Sequence, residues 1–211
     1  MGYRTVWKRE NGYAMRKLLL QMQMSMDGYV ADRDGGMDWM VWSYDSDWTW
    51  DTKLRAYHTD LMTSIDCILL SRKMAVQGFH AHWAALAQKP DNPQSHFAEN
   101  LTKAEKVVFS KTLVRSTWDN AFFAKGNLVD EVLALKRVSG KNIIAFGGAG
   151  FASSLIQAGL VDEFHLIINP VVLGAGLSPF KEISSPLNLH LIEAIPYAHD
   201  IVVLEYSKKE R

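Results

Sequence analysis

A single cysteine, Cys67, stands in the whole chain, so no intrachain disulfide can form and a reducing compartment fits its usage. It falls in the apolar run CILL, where a buried, inert thiol is expected rather than a nucleophile. No apolar run approaches the ~20 residues a membrane-spanning helix needs. The longest, FHLIINPVVL from Phe164 to Leu173, is strand-sized and interrupted by Pro170. An excess of one charge is missing too: 23 basic residues balance 23 acidic ones, evenly mixed, for a formal net charge of zero. With no basic stripe to neutralise phosphates, nucleic acid is not an expected partner, and neither is a membrane. The first residues, MGYRTVWKRENGYA, carry charges but no apolar core of a secretory signal. Residues 1–14 are expected to form a peripheral N-terminal extension, followed by one cytoplasmic domain over 15–211.

Several short catalytic motifs are absent. No G-x-x-x-x-G-K followed by Ser or Thr occurs, which removes support for P-loop nucleotide hydrolysis, and no G-x-S-x-G elbow presents a serine nucleophile. The H-x-E and P-C-x-x-C pair of zinc deaminases is missing. His80 and His82 are two residues apart in an expected helix, so their side chains diverge by roughly 200° and cannot easily share an ion. No metal site is expected.

What the chain does have is length and apolar content. With 211 residues, 48% of them hydrophobic, it can bury one sizeable core. Strands are expected at Lys17–Met24, Cys67–Leu70, Val107–Phe109, Ile143–Phe146, Glu163–Ile168, Leu187–Ile195 and Ile201–Tyr206. Helices are expected between them. Trp50, Leu54, Tyr57, Leu61 and Ile65 recur at spacings of three and four within Trp48–Ile65. Further helices are expected at Met74–Ala87, Pro93–Lys103, Leu128–Val138 and Gly150–Ala158, with Asn127 an N-cap and Gly140 a C-cap. Alternation of strands and helices implies an α/β domain with parallel strand pairs, helix-covered on both faces. The last two strands have no helix between them, so an antiparallel hairpin closes the sheet.

The segment IIAFGGAGFASSLIQAGLVDEF sets a short apolar run before Gly147, Gly148 and Gly150 and then an amphipathic stretch. Backbone N–H groups bared by glycine at a helix start can cradle a phosphate, although glycines also serve sharp turns alone. A dinucleotide fingerprint, G-x-G-x-x-G, fails at Ser153, and no ribose-binding acid stands near 168–170.

Four ordered blocks carry a resemblance. The first strand runs into QMQMSMDGYVADRDGGMDWM, ILLSRKMAVQG and VVFSKTL carry the next two strands into the turns after them, and FGGAGF leads into GLVDEFHLIINPVVLGAG. Together they resemble the dihydrofolate-reductase-like family, and most closely stand-alone proteins similar to the C-terminal reductase domain of the bifunctional deaminase/reductase of riboflavin biosynthesis. The resemblance implies a three-layer α/β/α fold with a central mixed sheet and NADPH bound across strand C-terminal ends. It implies an NADPH-dependent reductase of a small, pterin- or pyrimidine-like heterocycle, working as a homodimer. Gly147, Gly148, Ala149, Gly150 and Phe151 would meet the pyrophosphate. Ser71, Arg72 and Lys73 would approach an adenosine phosphate, or else Arg72 and Lys73 form a solvated pair capping a strand. Ser110, Lys111 and Thr112 would hold its other end, or form an ordinary polar loop. Asp27 would orient substrate or relay a proton, or else cap backbone N–H groups in a turn beside Gly28. Among the aromatics Trp39, Trp42, Tyr44, Trp48 and Trp50, Trp39 would line the substrate pocket and the others would pack. Ser71 and Met74 depart from the family's glycine and threonine. They motivate an alternative, a non-catalytic nucleotide- or ligand-binding dimeric module that keeps the fold.

Overall fold

The computed structural model describes residues 15–41, 50–76, 79–112, 118 and 120–209. The expected N-terminal extension, the aromatics Trp42, Tyr44 and Trp48, and the side chain of His80 lie outside the described residues. The strands are β1 (Leu18–Ser25), β2 (Ile65–Ser71), β3 (Glu105–Phe109), β4 (Ala121–Ala124), β5 (Asn142–Ala145), β6 (Glu163–Asn169), β7 (Leu189–Pro196) and β8 (Val202–Lys208). The helices are α1 (Thr52–Thr63), α2 (Arg72–Val76), α3 (Phe79–Ala87), α4 (Ser95–Lys103), α5 (Leu128–Arg137) and α6 (Ala149–Gln157).

All eight strands join one mixed sheet in the order β4-β3-β2-β5-β1-β6-β8-β7. From β4 to β6 the neighbours are parallel, whereas β8 runs antiparallel to both β6 and β7. The expected C-terminal hairpin is therefore present, its turn built on the 3-10 segment Ala198–Asp200.

Side chains alternate across β1, and both sides are apolar. Leu18, Leu20, Met22 and Met24 enter a core with Val132 and Leu135 of α5 and with Ala152, Leu155 and Ile156 of α6. Leu19 enters a second core with Met62 of α1, Phe97 and Leu101 of α4, and Ile68, Leu70, Val108 and Ile144. A strand buried on both faces reads as a continuous apolar run, which is why LLL opens β1. Withdrawing each of those leucines from water contributes about 1.5–3 kcal/mol.

Four details differ from the sequence reading. The inward stripe of α1 runs along Leu54, His58 and Met62, and Tyr57 and Leu61 flank it. The expected helix over 74–87 is two helices, the first starting at Arg72 because Ser71 Oγ accepts the Met74 N–H at 3.3 Å. Asn127 does cap α5, accepting the Val129 N–H, but the helix ends with Val138 at its C-cap and Gly140 lies beyond it. β4 was not expected. It is anchored by Asn120, whose Nδ2 donates to the Thr102 and Ala104 carbonyls at 2.8 Å each, alongside the buried Lys106 Nζ. Cys67 is buried, and that burial pushes its thiol up to about 12, which keeps it protonated.

Candidate functional site

Three polar segments leave the same end of three neighbouring strands. β3, β2 and β5 are parallel, with Ser71 opposite Phe109 and Leu69 opposite Ala145. Ser110–Thr112, Ser71–Lys73 and Gly147–Phe151 therefore emerge side by side at the C-terminal edge of the sheet. In open parallel sheets this edge is where ligands bind, next to the point where the chain reverses its order. Here the chain steps outward from β2 to β4, then returns to place β5 beside β1.

The glycine turn is built for close approach. Gly147 has φ 110° and Gly148 φ 39°, conformations that side chains disfavour. A Cβ at Gly147 would lie 2.7 Å from Met22 Cε, and one at Gly148 would lie 3.8 Å from Ser71 Oγ. Gly148 is the N-cap of α6 and offers no side-chain hydrogen bond. The N–H groups of Ala149, Gly150 and Phe151 thus begin the helix without intrahelical acceptors, beneath the positive end of its dipole. Phe151 packs on Phe109 with ring centroids 5.3 Å apart, which joins α6 to β3 across β2. Arg72, Lys73, Lys111 and Thr112 are exposed around this turn, while Ser110 is buried and accepts the Thr112 N–H at 3.2 Å.

Asp27 and Trp39 belong to a different part of the edge, the loop after β1. Ser25 closes the turn beside Gly28, its carbonyl accepting the Gly28 N–H and its Oγ the Tyr29 N–H. The Asp27 carboxylate accepts the Leu173 N–H at 3.2 Å and the Gly174 N–H at 2.7 Å, and Ser25 Oγ donates to it at 2.7 Å. The Ser25 hydroxyl first, and then those two backbone donors, hold the carboxyl below the usual carboxylate range. The same two loops are pinned a second time, where Ala31 pairs with Leu177 and Gly176 presses on the Ala31 carbonyl. The S-x-D-G block and the PVVLGAG block are therefore two halves of one clasp. Trp39 is half-buried, with its indole N–H donating to the Gly36 carbonyl at 3.3 Å. Trp50 is core, donating to the Val41 carbonyl at 2.7 Å.

Sequence reading did not anticipate the polar groups beneath α1. His58, buried and pushed down to about 3 by desolvation, is neutral and stacks on Phe97 at 4.2 Å. Its Nε2 meets Gln21 Oε1 at 2.9 Å. Further along the sheet, His165 Nδ1 lies 2.7 Å from the Tyr57 hydroxyl and 3.6 Å from Glu205, and its Nε2 lies 3.7 Å from Glu163. Lys17 Nζ donates to Glu163 at 2.6 Å. His165 first, opposed by partial burial and seconded by Lys17, draws the Glu163 carboxyl from 4.5 down to about 2. A carboxyl with a depressed folded-state value stabilises the protein above its unfolded value, and that stabilisation is lost as pH falls. Urea unfolding from pH 7 to pH 2 should therefore show a decline beginning near pH 4.5, and Glu163→Gln should flatten it between about 4.5 and 2. Identical slopes in the two proteins would refute the assignment.

No helix among the described residues is long and apolar enough to cross a membrane, and no cluster of three or more His, Cys, Asp or Glu among them could hold a metal ion. The uncharacterized protein YyaP of Bacillus subtilis (strain 168) is 31% identical over 199 residues, covering 93% of this chain and 97% of that protein. A putative riboflavin biosynthesis protein from Shewanella sp. PV-4 superposes with a TM-score of 0.65 at 25% identity, over 92% of this chain and 99% of that one. Dihydrofolate reductase from Enterococcus faecalis, complexed with NADP(H), superposes with a TM-score of 0.54 over 92% and 97% of the two chains, and at 13% identity it speaks for the fold alone. The family model of the RibD C-terminal domain matches residues 16–203. This chain, a dihydrofolate-reductase-like α/β protein, belongs to the RibD C-terminal domain family.

Proposed function

We propose that the protein is an NADPH-dependent reductase acting on a small, pterin- or pyrimidine-like heterocycle. One observation carries the reading: β3, β2 and β5 bring three polar segments together around the bare N-terminus of α6. Its geometry fits a pyrophosphate, because Gly147 and Gly148 leave room for the anion and the first N–H groups of α6 have no intrahelical acceptor. Gly147, Gly148, Ala149, Gly150 and Phe151 bind it through backbone donors. Ser71, Arg72 and Lys73 on one side and Ser110, Lys111 and Thr112 on the other receive the adenosine end, the cations pairing with its 2′-phosphate. NADPH, when bound, supplies the hydride.

On the substrate side, Asp27 acts by position. Both carboxylate oxygens are engaged, so it holds the 173–174 backbone against the β1 loop and shapes the pocket rim. Trp39 lines the same rim. Titration calorimetry with NADPH and NADH tests the cofactor; no binding of either at millimolar concentration would sink the proposal. The commitment of Asp27 to backbone donors favours one second reading, a non-catalytic nucleotide-binding module. Such a module would bind NADPH yet consume none across pterin, pyrimidine and quinone panels.

We also propose a cytoplasmic homodimer. The lone free cysteine fits a reducing setting. β7 is an unpaired sheet edge with Leu191 and Ile192 about half exposed, a surface suited to a second copy. Light scattering at micromolar concentration would return the monomer mass if this is wrong.

A further inference from the structure

β1 outruns its neighbour. Its last pairing with β5 joins Leu20 to Ala145, whereas its pairing with β6 continues to Ser25 and Asn169. Residues 21–25 therefore border the gap beyond β5, next to the glycine turn. Side chains alternate across a strand, so Gln21 and Gln23 project from the face that bears Leu19, which α1 covers.

The amide of Gln23 has one orientation. The Val41 N–H can only donate, and it donates to Asn169 Oδ1 at 2.9 Å. Asn169 must then offer its Nδ2, which donates to Gln23 Oε1 at 3.2 Å. Asn169 is wholly buried, so the relay is held in place. Gln23 is left half-buried, with an Nε2 that has no partner among the described residues. Two positions earlier, Gln21 is 4% exposed and gives its Oε1 to the neutral His58, while its buried Nε2 has no hydrogen-bond partner. An orphaned buried donor is costly, and in a native fold a water or another polar group completes it. Neither position is acidic, and Asp27, the first carboxylate after them, is turned to Leu173 and Gly174. The row is made of uncharged donors.

We propose that Gln23, set by Val41 and Asn169 and backed by Gln21, determines substrate specificity. Its amide donates to a carbonyl or ring-nitrogen acceptor of a neutral heterocycle. A ligand that presents an amino or protonated amidine group there meets donor against donor and is rejected. This assignment rests on the reductase reading above.

Lumazine and pterin test it, since these fluorescent bicycles differ by a carbonyl in the first where the second carries an amino group. The full-length protein, saturated with NADP+, should bind lumazine about tenfold tighter than pterin, one hydrogen bond's worth of preference. Gln23→Leu should bring the ratio near one. Asn169→Asp should invert it without touching the ligand, because an aspartate there can only accept and turns the Gln23 amide over. Gln23→Glu should invert it at a half-buried position where folding is less at risk. NADP+ affinity should stay within about twofold in every variant that folds. A ratio that neither Gln23 variant moves overturns the proposal, as does a wild-type preference for pterin. If NADP+ binds and neither probe does, the proposal falls while the cofactor reading stands. If NADP+ itself fails to bind, the reductase reading falls and takes this one with it.

Discussion

Replacing Gly150 by Asp should raise the melting temperature and, in the same protein, weaken NADPH binding about 30- to 100-fold. Gly150 is the second residue of α6, is exposed, and has open space where a Cβ would stand. Glycine in a helix costs about 0.5–1 kcal/mol relative to alanine, and a carboxylate in the first turn gains about 0.3–1 kcal/mol from the dipole. The first turn of α6 has no acidic residue at present, so that gain is open. Aspartate is a weaker helix former than alanine, which leaves a net gain of about 0.5–1 kcal/mol, or roughly 1–4 °C. The pyrophosphate would face the new charge. Two like charges ~4 Å apart near a protein surface repel by about 4 kcal/mol, and salt reduces this to about 2–3 kcal/mol. Calorimetry and a thermal melt on one sample read both effects, with Gly150→Ala as the neutral control. An aspartate variant that binds NADPH like the wild type would remove the anion from α6.

Gly176→Ala should be the most damaging added methyl among the described loop glycines. Its Cβ would stand 2.1 Å from the Ala31 carbonyl oxygen and 3.3 Å from Asp32 Cα, and both are backbone atoms that no rotamer change can clear. Overpacking of this kind costs about 3 kcal/mol, which for a chain of this size lowers the melting temperature by roughly 6–12 °C. A shift under about 2 °C would mean that the two loops do not meet as described. Gly174→Ala, where no atom lies within 4 Å of the added Cβ but φ is 72°, gauges what left-handed backbone strain alone costs.

Local signals in the sequence carried most of the architecture. Apolar runs located β1, β2, β5 and β6, Asn127 announced α5, and the missing helix after Leu187 announced the hairpin. β4 escaped because AFFA is four residues long and takes its place through Asn120, which reaches back to α4. The start of α2 escaped because its cap is the Ser71 hydroxyl, on a residue that also ends a strand. The glycine turn was legible as a sharp strand-to-helix turn because glycine at a strand end has a conformational meaning by itself. Asp27 was not legible: its partners are the N–H groups of Leu173 and Gly174, 146 and 147 positions away, and backbone donors leave no mark on composition. The pairs of Gln21 with His58 and of Gln23 with Asn169 were hidden for the same reason, since each joins two elements that only the sheet order brings together.

That sheet order also governs how the chain can be made. Both strands that flank β1, namely β5 and β6, are synthesised after it, with β5 beginning at Asn142. A nascent chain therefore carries LLLQMQMS without a strand partner until more than two-thirds of the protein has left the ribosome. Contacts this far apart in sequence must close a long loop before they are rewarded, which slows folding and lengthens the exposure of apolar surface. The strand whose open edge borders the proposed active site is thus the one most in need of protection while the protein is being born.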